Sequence, residues 1–310
     1  MNKPSFISFL LLLALFGCKR QGKVSDSTGQ SQVKGPFFGV IPTEQPKLLA
    51  PEFLATPESE YNGTFSTDGT QFFYTTDVPE NAYITYTQMQ ADSTWSKPKI
   101  APFSKDYAEY DPLFSPDGTR LYYSSRRPKN GNQNSGIWYV ERKDSFWNEP
   151  TYVRLTGDMN EEYYSSLTNN GVLYFNIWSR GDIYKAEKKD SVYEVEPLPE
   201  TINKGGDKGD PFISPNEDYL IFRGYDNSLG RGDLYISFNI DGHWTEPENM
   251  GAPINSEAHE ICPWVSPDGK LFVFASDRIL DGNSKPYNSG KSNVYVMSAD
   301  FIQKLKQKHL

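Results

Sequence analysis

Short apolar stretches alternate with polar turns through most of this chain, and one turn pattern recurs five times. Each turn reads Ser or Thr, then Pro, Thr or Asn, then Asp or Asn, then Gly, with one exception at the last position. The turns occupy residues 66–69, 115–118, 168–171, 214–217 and 266–269. A repeat of roughly 50 residues predicts an array of similar structural units.

The composition of the turn predicts a hairpin in every unit. Ser, Pro, Asp and Gly in this order suit a type I turn whose fourth residue has a positive φ, which joins two antiparallel strands. Aromatic and β-branched residues flank the turns, as in 121–125 and 271–274, and they favour strands. The fourth turn carries Glu217 in place of Gly, so we expect it to be either strained or differently built.

A second pattern follows each hairpin in the first four units. An aromatic residue precedes an Asp by six positions, a second aromatic follows the Asp, and a Pro closes the set. The sets span residues 86–98, 138–150, 184–197 and 235–247. They predict a third and a fourth strand, with the Pro at an outer edge where a missing N–H costs little.

The fifth unit has a third strand but no fourth. A segment similar to a fourth strand, residues 46–50, instead precedes the first unit. The sequence therefore predicts an all-β ring of five four-stranded blades, in which the N-terminal strand completes the last blade and removes its open edge. Residues 300–310 are predicted to form a short helix, with Phe301, Ile302 and Leu305 packed on the ring.

These strings resemble the bacterial PD40 proteins, which are WD40-like β-propellers related to the propeller of the translocation protein TolB. The resemblance rests on residues 114–126, 232–235, 244–247 and 266–278, and it covers about residues 46 to 305. It implies a propeller fold and leaves function open, since such families include scaffolds, binding proteins and enzymes.

The N-terminal segment predicts export and lipid anchoring. An apolar run follows Lys3 and ends in Leu15-Phe16-Gly17-Cys18, which resembles a bacterial lipobox. The expected organisation is a signal peptide at 1–17, a lipidated Cys18 with a flexible tether over 18–45, and the propeller over 46–310. The protein is expected in the cell envelope, attached to the outer membrane, with the periplasmic or surface face left open.

The net charge and the motifs of the chain argue against several classes of function. The net charge of −9 disfavours nucleic acid as a partner. The three His residues have no metal-ligand spacing, and neither a nucleophile elbow nor a phosphate loop occurs, so we expect no metal and no cofactor. The absence of these motifs argues against catalysis and leaves it an open question.

Acidic residues recur before each predicted inner strand, and arginines recur after each second strand. In a propeller these loops share one face, which we expect to bind ligand. The candidate residues are Glu109, Asp111, Arg126, Arg127, Glu161, Glu162, Arg180, Asp210, Arg223, Arg231, His259, Glu260 and Arg278. An alternative is that the acids bind backbone amides or these arginines and fix the loops.

Two functional hypotheses follow. The first is a lipid-anchored binding or scaffold module for an envelope protein, a peptide or a glycan. The second is an envelope hydrolase or lyase that acts on carbohydrate through the carboxylates of this face. A convergent pocket that holds two carboxylates, one with a raised pKa, favours the enzyme.

Overall fold

The computed structural model describes residues 33–309, except 130, 132, 144–145, 158–159 and 280–288. It contains five antiparallel sheets, and the innermost strand of each contacts the innermost strands of its two neighbours. These contacts close into a ring, so the fold is a five-bladed β-propeller, as the sequence predicts.

Blades 1 to 4 use consecutive strands, and blade 5 combines three consecutive strands with the first one; the strands are numbered here in chain order. Blade 1 contains β2 (Ser59–Phe65), β3 (Gln71–Val78), β4 (Asn81–Gln88) and β5 (Lys99–Ile100). Blade 2 contains β6 (Glu109–Phe114), β7 (Arg120–Ser125), β8 (Gly136–Lys143), β9 (Phe146–Trp147) and β10 (Thr151–Tyr152). Blade 3 contains β11 (Glu162–Leu167), β12 (Leu173–Ile177), β13 (Asp182–Lys189) and β14 (Val192–Pro197). Blade 4 contains β15 (Lys208–Ile213), β16 (Tyr219–Gly224), β17 (Asp233–Ile240), β18 (His243–Trp244) and β19 (Glu248–Asn249). Blade 5 contains β20 (Glu260–Val265), β21 (Leu271–Ser276), β22 (Asn293–Ser298) and the N-terminal β1 (Lys47–Leu48).

The ring closes through the N-terminal strand. In the register of blade 5, Lys47 pairs with Val296 and Leu48 pairs with Tyr295. The backbone N–H of Leu49 extends this ladder to Val294 O at 2.9 Å. The predicted closure of the last blade by residues near the N-terminus is therefore confirmed.

All five turns have the same geometry, including the fourth. The N–H of the fourth residue donates to the carbonyl of the first at 2.8–2.9 Å, and the φ of that fourth residue lies between 63° and 80°. Glu217 adopts the left-handed conformation despite its side chain, and the Tyr174 hydroxyl donates a hydrogen bond to its carboxylate. Of the two expectations for this turn, the strained one is correct.

Proline interrupts the outer strands of blades 2 and 4. In blade 4, β18 and β19 both pair with β17, and Pro247 lies between them. In blade 2, β9 and β10 pair with β8 on either side of Pro150. The position of the Pro agrees with an outer edge, because a residue without an N–H ends the ladder locally.

Three short α-helices accompany the blades: α1 (Pro51–Leu54), α2 (Glu200–Asn203) and α3 (Asp300–Lys306). The helix α3 is the predicted one, with Ile302 buried and Phe301 and Leu305 packed against the core. Short 3-10 helices span Pro36–Gly39 and Gln307–His309. Both α1 and α2 have four residues, too few to show a helical period in the sequence.

Part of the segment predicted as a tether, 18–45, packs on the ring. Phe38 is buried, and its ring lies 4.3 Å from that of Trp95 in blade 1. The Trp95 Nε1 donates to Gly35 O at 2.8 Å. Two adjacent phenylalanines bury apolar surface that a flexible tether would leave in water. The predicted signal peptide and Cys18 lie outside the described residues, and within the described part no helix is long and apolar enough to cross a membrane.

Candidate functional site

The five inner strands share one irregularity. In each strand the pairing register shifts, and one residue at the shift has a φ between 48° and 57°. These five residues are Asn62, Asp111, Tyr164, Asp210 and Cys262. None is a glycine, so each position holds a backbone conformation that costs on the order of 1 kcal/mol or more. The repeated bulge turns these five side chains together around the centre of the ring.

Tyr164 closes the centre of the ring. Its side chain is fully buried, and its hydroxyl donates to the carbonyl of Pro263, in blade 5, at 2.9 Å. Its backbone N–H donates to Ser124 Oγ of blade 2 at 3.0 Å. Since Tyr164 belongs to blade 3, it joins three blades and forms a floor across the axis.

A cavity of about 440 Å³ lies on the face where the inner strands begin. Its walls include three of the five bulged residues, Asp111, Asp210 and Cys262. A volume of this size is typical of small-ligand pockets, which span about 300–1,000 Å³.

Aromatic side chains form much of the wall. Tyr110, Tyr163 and Trp178 make a continuous series, with ring centroids 6.5 Å and then 5.8 Å apart. Tyr225 stacks on His259 on another part of the wall, at 6.2 Å. Trp178 is 64 % exposed and Tyr225 is 41 % exposed, so both present large apolar surface to a ligand.

Asp210 is held by two donors. Its Oδ2 accepts from Arg223 Nε at 3.1 Å and from the backbone N–H of Cys262 at 3.3 Å. Arg223 is itself buried, and it stacks over the Tyr225 ring at 5.0 Å. A guanidinium and a backbone N–H thus fix the position of this carboxylate.

Asp111 lies in a different environment. Its Oδ2 accepts from Ser124 Oγ at 3.1 Å, and its residue is only 8 % exposed. Burial, together with the nearby charge of Asp210, raises the pKa of the Asp111 carboxyl to about 7. The two aspartates therefore meet the condition stated above for an enzyme: two carboxylates in one pocket, one with a raised pKa.

Three further charged or titratable residues line the same cavity: Arg126, Glu161 and His259. Arg126 is exposed and hydrogen-bonds the Tyr163 phenol. Burial and the charge of Arg223 lower the pKa of His259, so this ring is neutral near pH 7. The cavity thus combines both signs of charge with aromatic walls.

The other residues predicted for this face lie elsewhere. Three of the acids are fully buried in ion pairs: Glu109 with Arg127 at 2.9 Å, Glu162 with Lys129 at 3.3 Å and Glu260 with Arg278 at 3.0 Å. Arg231 pairs with Asp277, and Arg180 is exposed and does not line the cavity. These acids occupy one equivalent position in blades 2, 3 and 5, where they fix the loops.

The sequence reasoning missed the aromatic part of the pocket. Tyr61, Tyr110 and Tyr163 each directly follow a recurrent acid, and Trp178 is equivalent to Asp77, Arg126, Tyr225 and Asp277 of the other blades. A signal was present, because Tyr directly precedes the bulged residue in blades 1, 2 and 3. Aromatic residues are so frequent in this chain that the recurrence did not stand out.

Two other cavities are less suited to ligand. One of about 500 Å³ lies beside α2, and its buried Lys208 is satisfied by the carbonyls of Lys204 and Gly206 and by Asp226. One of about 370 Å³ lies on the opposite face, among the five turns. Among the described residues no group of three His, Cys, Asp or Glu is placed to hold a metal ion.

Comparison with known proteins supports the fold and nothing finer. No protein-family model and no curated protein matches the chain. Among solved structures, an endo-arabinase from Bacteroides thetaiotaomicron is similar, with a TM-score of 0.50, 13 % identity, and coverage of 84 % of this chain and 97 % of that one. TolB from Acinetobacter baumannii has a TM-score of 0.46 and 15 % identity over 77 % of this chain. The present chain spans about half of that TolB, 54 %. At such identities the likeness establishes a shared fold only.

Proposed function

We propose that this protein is a lipid-anchored, PD40-type propeller of the cell envelope that binds a glycan in the central pocket. One observation carries the proposal: a concave pocket at the ring centre pairs exposed aromatic faces with carboxylates and guanidinium groups. Sugar rings present apolar C–H faces that pack on aromatic side chains, and their hydroxyls bond carboxylates and arginines.

A glycan fits this pocket better than a protein partner does. Protein interfaces of standard size bury about 800 Å² on each partner over a broad surface. The pocket here is a cavity of about 440 Å³ at the ring centre, and its exposed aromatics, Trp178 and Tyr225, lie on its wall. A short peptide side chain or a glycan end enters such a site, and the several hydroxyls of a sugar use more of its polar groups.

Binding of defined oligosaccharides tests the proposal. The full chain with Cys18→Ala would be titrated calorimetrically with neutral and acidic tetrasaccharides. We expect one or more to bind, and Trp178→Ala to weaken that binding at least tenfold. Phe146→Ala is the matched control, since Phe146 is 74 % exposed and lies outside the pocket. Equal loss in both variants, or no binding by any tetrasaccharide, would refute the proposal.

Anchoring is tested separately. We expect metabolic labelling with radioactive palmitate to mark the chain, and Cys18→Ala to abolish the label and release the protein from the membrane fraction. A chain that stays with the membrane without Cys18 would contradict the anchor.

A second candidate function is hydrolysis of the bound glycan. The observation that favours it is the pair Asp111 and Asp210, which share the pocket but differ in their surroundings.

A further inference from the structure

The two pocket aspartates occupy equivalent positions in blades 2 and 4. Each is the bulged third residue of its inner strand, and in each case the preceding residue pairs with the next strand. Tyr110 pairs with Ser124 in blade 2, whereas Gly209 pairs with Arg223 in blade 4. The same position of the second strand therefore supplies a hydroxyl to Asp111 and a guanidinium to Asp210.

The two carboxyls therefore differ in their immediate partners. Within the described chain no lysine or arginine nitrogen lies within 4 Å of the Asp111 carboxylate, while Arg223 contacts Asp210 directly. The corresponding second-strand positions in the other blades are Thr75, Asn176 and Ala275, so blade 4 differs from the rest in carrying a cation there. Asp111 is buried without a cation in contact, and burial raises its pKa.

We propose that Asp111 is the general acid and Asp210 the general base of a glycoside-hydrolysing site. This assignment rests on the proposed function, because it requires the pocket to hold a glycan. Glycoside hydrolysis needs two carboxyl groups at the scissile bond, and the raised pKa of Asp111 suits it to the role of proton donor.

The step balances without any oxidant or cofactor. The Asp111 proton moves to the glycosidic oxygen as the bond from that oxygen to the anomeric carbon breaks. A water oxygen forms the new bond to the anomeric carbon, and Asp210 accepts the proton that this water loses. Solvent then returns a proton to Asp111 and takes one from Asp210, which leaves two shorter saccharides.

Several titratable groups near Asp111 bear on whether a pH-dependent change in activity can be assigned to it. The titratable groups near it are Asp210, Arg223, Tyr61, Tyr110, Tyr164 and Cys262. Burial raises the pKa values of the Tyr61 and Tyr164 phenols and of the Cys262 thiol well above their ordinary range, so these three stay neutral near pH 7. Loss of activity as the pH rises through about 7 would therefore report Asp111.

The test uses the full chain in detergent, with the tetrasaccharide panel as probe, and measures both binding and the release of reducing ends. We expect hydrolysis of a saccharide that the protein binds. Asp111→Asn and Asp210→Asn should each lower kcat by about 10²–10⁴-fold, the usual contribution of a general acid or base, with the dissociation constant changed less than about tenfold. Asp106→Asn, an exposed aspartate outside the pocket, should leave kcat unchanged.

A milder variant distinguishes a proton donor from a structural group. The Ser124 hydrogen bond lowers the pKa of Asp111, so Ser124→Ala should raise it and move the alkaline limb of kcat/KM to higher pH. Binding without release of reducing ends, or an alkaline limb that does not move, overturns the acid–base assignment and leaves the binding proposal standing. No binding by any panel member overturns both.

Discussion

The Tyr164 hydroxyl donates to the Pro263 carbonyl at 2.9 Å, across the centre of the ring from blade 3 to blade 5. These two blades are not neighbours, and Tyr164 reaches the partner because its own strand is bulged at that residue. The buried Tyr164 therefore ties non-neighbouring blades together at the centre of the ring.

Tyr164→Phe should destabilise the fold modestly. The change leaves the buried Pro263 carbonyl without this donor, which costs about 1–3 kcal/mol. Denaturant unfolding followed by tryptophan fluorescence measures the loss. Tyr163→Phe serves as the control, since Tyr163 is half-buried on the wall. Equal stability of the Tyr164→Phe variant and the wild type would show that the bond contributes nothing net.

Lys129→Met should lower the free energy of unfolding more than most single substitutions in the chain. Lys129 and Glu162 are both fully buried, and removal of the lysine leaves a buried carboxylate without its cation, at about 3–5 kcal/mol. A second change, Glu162→Gln, should recover part of that loss. The exposed pair of Lys185 and Glu196 gives the comparison, because Lys185→Met should cost less than about 1 kcal/mol. Similar losses at both sites would contradict the buried pair.

Glu60 should make stability fall as the pH rises. It occupies the position of Glu109, Glu162 and Glu260 in blade 1, but in the described residues no cation lies within 4 Å of it. Burial raises the pKa of Glu60 from 4.5 to about 7, while hydrogen bonds from Thr56 lower it. The folded chain thus keeps a proton that the unfolded chain releases, so this stabilisation is complete below about pH 4.5 and is lost as the pH reaches 7.

Glu60→Gln should remove that pH dependence. The difference in unfolding free energy between variant and wild type should rise by up to about 3 kcal/mol from pH 4.5 to 8 in favour of the variant. Melting temperatures at several pH values across that range measure it, with Glu58→Gln as the neighbouring control. A constant difference across that range would mean that Glu60 titrates normally.

Deletion of residues 46–50 should destabilise the whole ring. It removes β1, so blade 5 loses its outer strand and exposes the unpaired edge of β22. Deletion of residues 22–32 should leave the melting temperature nearly unchanged. Equal melting of the two truncated chains would contradict the closure.

The sequence predicts the blades well because their determinants are local. The residue types at 115–118 specify the turn without help from distant parts of the chain, and the aromatic residues on either side favour strands. The pocket is harder to predict, since it depends on a bulge that brings Asp111 and Asp210 together from strands about 100 residues apart. Nothing in the sequence distinguishes Asp111, which lines the pocket, from Glu109, which lies two residues earlier and is consumed in an ion pair.

The pairing of Lys47 with Val296 also constrains the order of assembly. The two partners are separated by roughly 250 residues, so the last blade is completed only after nearly the entire polypeptide has been synthesised and has emerged from whatever channel carries it. Until then the edge of β22 has no partner, and the early strand must remain available without pairing elsewhere. Folding of the last blade therefore requires both ends of the polypeptide to be present at the same time.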